Sequence, residues 1–153
     1  MLKGENTGMT VVEYLNQAKW LREKIRFDIQ EKNYLRQMAD GVAAPRTDME
    51  KVQTSPMGEA PYAALLQKIR DLELAICEEV ERMLELRKQV REVIASLHDN
   101  ELEMILNYCY LNGMGWEEIS MEMHMDRSTI KRKHDKAVES IVLPEDAIAI
   151  RKS

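Results

Sequence analysis

Between residues 61 and 97 one apolar stripe recurs at steps of mostly four and three: Leu65, Ile69, Leu72, Ile76, Val80, Met83, Val90, Ile94 and Leu97. Leu86 or Arg87 takes the intermediate slot. Such spacing holds side chains on one narrow seam of a helix. At 1.5 Å per residue the segment is roughly 55 Å long. No small globule buries so long a seam alone, so a partner helix is required. Residues 10–38 offer one, with Val11, Tyr14, Leu15, Ala18, Leu21, Ile25, Ile29, Leu35 and Met38 at helical spacing. A long, coiled-coil-like antiparallel hairpin is the expected frame. A second copy of the chain is the other candidate, making a homodimer or higher homo-oligomer through helices 10–38 and 61–97.

The rest of the composition agrees with an all-α fold. Six glycines and four prolines in 153 residues are too few for a turn-rich β architecture. A single Phe against 11 Met suits helices packed side by side. No apolar run reaches the length of a membrane span, and MLKGENTGMT lacks the apolar core of a secretory signal. Cys77 and Cys109 form no CxxC pair and fit a reducing, cytoplasmic setting. Thr10 and Glu13 match a capping box at the start of the first helix, and Gly41 is placed to end it. The expected parts are an N-terminal helix in 1–39, a flexible linker over 40–60 containing Pro45 and Pro56, the long helix 61–97 opened by Pro61, a compact unit over 98–143, and a tail over 144–153.

The compact unit reads as short helices. Asp99 can cap a first one whose apolar positions are Leu102, Ile105, Leu106, Cys109 and Tyr110, with Asn112-Gly113 as its left-handed stop. Gly115 opens a second, Trp116–Met123. After the turn His124-Met125-Asp126, with Asp126 as N-cap, a third begins at Arg127 and runs to about Val142, before Pro144. The last two helices form a helix-turn-helix. Its expected core is Trp116, Ile119, Ser120, Met123, Met125, Ile130, Ala137 and Ile141. Ser120 permits close approach, Met125 plugs the turn, and His124 takes the positive φ the turn requires.

Charge is partitioned around this motif. The chain has net charge −5, with 22 basic and 27 acidic residues, which argues against a generic nucleic-acid coat. Residues 98–125 have six acids and no Lys or Arg, whereas 126–143 carry five basic and three acidic residues. On the final helix the positions opposite Ile130 and Ala137 are Ser128, Lys131, Arg132 and Asp135, flanked by Arg127, Thr129 and Lys136. Lys and Arg donate to guanine O6 and N7, and Ser or Thr serves bases or phosphates. Asp135 either accepts from cytosine or orients Arg132. Lys133, on an otherwise apolar position with its stem free to snorkel, and Lys136 are expected on phosphates. The reading is duplex-DNA binding. The acidic stretch, above all Glu117, Glu118 and Glu122, is a candidate face for host RNA polymerase.

Catalysis has little support. His98, His124 and His134 have no nucleophile at a catalytic spacing, no cysteine–histidine grouping suits a metal, and no glycine-rich phosphate loop occurs. The expectation is a non-enzyme without cofactor or metal. The stretch LHDNELEMILNYCYLNGMGWEEISMEMHMDRSTIKRKHDKAVESI resembles region 4 of the sigma-70 family, with GWEEIS in place of its first helix and DRSTIKR in place of its second. The whole chain, through YLRQMA, TDMEKVQTSP and the long helix, is similar to phage and prophage late-gene regulators of the ArpU and RinA type. That resemblance implies a DNA-binding activator of phage late genes. Two other classes share the pattern: a small-terminase-like DNA-packaging subunit, and a helical protein–protein adaptor.

Overall fold

The computed structural model describes residues 8–43 and 58–150. It is all-α. Among the described residues five α-helices run in the order α1 (Val11–Ala43), α2 (Glu59–Ala95), α3 (Asn100–Leu106), α4 (Trp116–Met123) and α5 (Arg127–Ser140). A π-helical turn, Asn107–Leu111, continues α3. No helix among the described residues is long and apolar enough to cross a membrane.

The start of α1 is the predicted capping box. The Thr10 amide donates to Glu13 Oε1 at 3.0 Å, and the Glu13 amide donates to Thr10 Oγ1 at 3.1 Å. Its end differs from expectation, because the helix passes through Gly41 to Ala43. An exposed glycine within a helix costs only about 1 kcal/mol relative to alanine. Burial of Leu35 and Ala39 against Ile69 holds the preceding turn. Residues 40–43 are therefore helix rather than linker, as are Glu59 and Ala60, which precede Pro61 in the first turn of α2. The rest of the expected linker lies outside the described residues, apart from Gly58.

The chain packs as two compact units, and the division crosses the long helices instead of falling after residue 97. One unit is Glu23–Glu81. Within it α1 and α2 run antiparallel: Lys24 pairs with Glu79, Arg36 with Glu73, and Leu35 and Ala39 meet Ile69, flanked by Tyr62, Leu65, Leu66 and Leu72.

The other unit holds the residues up to Arg22 and those from Arg82 onward. Tyr14, Leu15, Ala18 and Leu21 are buried on α1, and Met83, Leu86, Val90, Val93 and Ile94 on α2. Leu86, not Arg87, fills the apolar slot. Arg87 instead donates to the Leu111 carbonyl at 2.9 Å, where Arg22 also arrives at 3.4 Å. Two guanidinium groups thus cap the end of the π turn. Residues 144–150 are not a loose tail. Ala147 is buried, and the strap is gripped by two glutamines in the manner of backbone amides. Gln89 donates to the Asp146 carbonyl at 3.1 Å and accepts from the Ile148 amide at 2.8 Å. Gln17 donates to the Ile148 carbonyl at 2.9 Å and accepts from the Ile150 amide at 2.6 Å.

Candidate nucleic-acid interface

The helix-turn-helix lies wholly within the second unit and is built on α3. Asp99 is its N-cap, its side chain accepting from the Leu102 amide at 3.1 Å, while Glu103 accepts from the Asp99 amide at 3.1 Å. Leu102, Ile105, Leu106, Cys109 and Tyr110 are all buried, as is Leu111. The π turn is closed by the Asn112 amide donating to the Asn107 carbonyl, and Gly113 then turns the chain at φ 71°.

Gly115 opens α4, with Glu118 reaching back to its amide at 2.9 Å. The helix ends at His124, whose φ of 57° and ψ of 45° are left-handed, as the turn demands. The Met125 amide and the Ser120 hydroxyl close the turn: the amide donates to the Ser120 carbonyl, and the hydroxyl donates to the Met125 carbonyl. Asp126 precedes α5 in an extended conformation, but its side chain makes no capping hydrogen bond. α5 ends at Ser140, two residues short of expectation.

Of the expected core, Ile119, Ile130, Ala137 and Ile141 are buried, while Trp116, Ser120, Met123 and Met125 are half-buried. Helix α5 contacts both α3 and α4. The opposite face carries Arg127, Ser128, Lys131, Arg132, Asp135 and Lys136, all exposed, with Thr129 half-buried at the edge. The side chains of Lys131, Arg132 and Lys136 make no ion pair among the described residues. Arg127 lies 3.5 Å from Glu117.

Lys133 differs from the sequence reading, and one of the two roles open to Asp135 is not seen. Lys133 does not reach outward: it is half-buried, and its Nζ lies 2.7 Å from Glu101 Oε1 on α3. Asp135 does not orient Arg132; its Oδ1 lies 2.9 Å from His134 Nδ1. The Lys133 contact follows from α3 packing against α5. The acidic face is also partly occupied, since Glu118 caps α4 and Glu117 meets Arg127, leaving Glu122 exposed without such a contact.

Sequence reasoning missed His134. It is 7 % exposed, with Nε2 2.8 Å from the Tyr110 hydroxyl and the Trp116 ring edge-on at 4.9 Å. Burial pushes the Tyr110 phenol above its ordinary pKa, with Cys109 and Asp135 adding to the rise. Burial also raises the Cys109 thiol. A signal for His134 was present: it lies four residues after Ile130 and three before Ala137, on the apolar stripe.

Residues 62–142, more than half of the chain, match the family described as "Protein of unknown function (DUF722)". The chain belongs to DUF722. The DUF722 segment contains the whole helix-turn-helix and most of α2, but neither α1 nor the strap from 144 onward. No curated protein and no solved structure matches the chain.

Proposed function

We propose that this protein is a sequence-specific double-stranded DNA-binding regulator of transcription, with α5 as its reading helix. One observation carries the reading. The second helix of a tight helix-turn-helix buries one face and presents on the other three side-chain cations, Lys131, Arg132 and Lys136, without ion-pair partners among the described residues. In an acidic chain with net charge −5, a local cationic ridge on that helix suits the edges and phosphates of a major groove. Ser128 and Arg127 extend the ridge toward the helix N-terminus, the end that approaches bases in this motif. The resemblance to sigma region 4 and to ArpU and RinA regulators favours activation of phage late genes over packaging or adaptor roles.

A single reading helix covers little DNA, so specific binding is expected from a dimer. Phe27, Tyr34, Leu74 and Leu84 on α1 and α2 are large apolar residues more than half exposed, which suits self-association through those helices. The test is salt-dependent binding to duplexes selected from a random pool. Lys131→Glu combined with Arg132→Glu is expected to keep parental helicity and weaken binding more than about 100-fold, since each base contact contributes about 1–3 kcal/mol. A folded double variant that binds as tightly as the parent rejects the proposal.

A further inference from the structure

Asp135 poses a problem on a cationic reading face. Its side chain is 62 % exposed among Lys131, Arg132 and Lys136, yet it forms no ion pair with any of them. Its partner among the described residues is His134, on the core side. The protonation pattern follows from donor rules. An ionised carboxylate only accepts, so His134 Nδ1 must carry a hydrogen and donate to Asp135 Oδ1. Nε2, the other ring nitrogen, lies 2.8 Å from the Tyr110 hydroxyl, which can donate to it or accept from it. Trp116 packs edge-on against the ring and limits its rotation. Every polar group of the relay is satisfied, and Oδ2 of Asp135 remains available to accept one more hydrogen bond from outside.

We infer that Asp135 is a specificity-determining residue that accepts a hydrogen bond from the exocyclic amino group of a cytosine in the major groove, with His134 and Tyr110 as positioning residues behind it. The inference rests on the proposed DNA-binding function and deepens it. A carboxylate repels phosphates and acceptor edges, so its presence on this face disfavours any base lacking an amino group there. In the major groove only cytosine N4 and adenine N6 donate, and adenine places the acceptor N7 beside its donor. Cytosine offers the donor without that acceptor. Anchoring Oδ1 on His134 also keeps Asp135 from neutralising Arg132, leaving both side chains for the DNA.

The test uses the full chain and a random-sequence duplex pool, followed by defined duplexes that vary one position at a time. The parent is expected to select cytosine at one position of its site. Asp135→Ala should lower that preference about 10-fold while preferences elsewhere persist. Asp135→Asn should move the position toward adenine, which pairs its N6 and N7 with an amide. Tyr110→Phe keeps the ring but removes the hydroxyl that holds His134; it should loosen the same position, with smaller effects elsewhere. A merely structural role would weaken all sequences alike. If the parent selects a site and Asp135→Ala selects the same bases at every position, this inference falls and the DNA-binding reading stands. If the parent binds no duplex, both fall.

Discussion

Glu79 shows how a paired carboxylate can be a poor source of stability. Its side chain is 12 % exposed, and Oε2 lies 3.1 Å from Lys24 Nζ. Lys24 is shared with Asp28 at 3.0 Å, so one ammonium serves two carboxylates. Oε1 of Glu79 is buried and makes no hydrogen bond. Burial lifts the Glu79 carboxyl above its ordinary range, Asp28 adds to the lift, and Lys24 opposes it only in part. The folded chain therefore holds this proton to a higher pH than the unfolded chain does. The resulting stabilisation is complete below the ordinary carboxylate pKa and is lost as pH rises through the raised one. Glu79→Gln removes that dependence while leaving Lys24 its contact with Asp28. Urea unfolding should find the variant at least as stable as the parent at pH 7, with its advantage shrinking toward pH 4. A loss near 3 kcal/mol at pH 7, typical of stripping one partner from a buried ion pair, would contradict this account.

At the scale of elements, the turn between α4 and α5 is held in a left-handed conformation by an unfavourable residue. A non-glycine residue there costs roughly 1–2 kcal/mol, and glycine returns about 0.5–1 kcal/mol of that as chain entropy. The His124 side chain is exposed and makes no hydrogen bond among the described residues, so its removal forfeits little else. His124→Gly should raise stability by about 0.5–1 kcal/mol, and His124→Val should lower it by more than about 1 kcal/mol, both measured by urea unfolding. This motif was legible in the sequence because its signals are local. Gly113, Gly115, His124 and Asp126 set the chain direction within a few residues of themselves, and Ile119, Ile130 and Ala137 follow from period alone. The contacts of Lys133 and His134 were not legible in the same way. Their partners, Glu101 and Tyr110, lie 32 and 24 residues away, and only the packing of α3 and its π turn against α5 brings them near. Gly41 misled for the converse reason: a strong local stop was overridden by tertiary burial of Leu35 and Ala39.

For the molecule as a whole, the segment shared with the family does not contain all that holds the helix-turn-helix in place. Within the unit that carries α5, residues before 62 supply Tyr14, Leu15, Ala18 and Leu21 to the core, Arg22 to the Leu111 carbonyl and Lys19 to the face of Tyr110 at 5.8 Å. Residues after 142 supply the strap. The two are joined by amide chemistry: Tyr14 donates to Gln89 Oε1 at 2.8 Å, the same atom that accepts from the Ile148 amide, and Gln17 holds Ile148 and Ile150. Gln17 is buried, so its removal leaves strap groups without partners and water poorly placed to replace them. Loss of such partners costs about 1–3 kcal/mol per stranded group. Gln17→Ala with Gln89→Ala in the full chain should therefore release the strap before anything else. In hydrogen exchange the amides of Ile148 and Ile150 should lose protection, while those of α5, satisfied within their own helix, should lose far less. If exchange at Ile148 and Ile150 matches the parent, the strap is held by Ala147 burial alone and the glutamines contribute little. If α5 loses protection to the same extent as the strap, the unit opens as one body, and the strap is part of what keeps the reading helix seated.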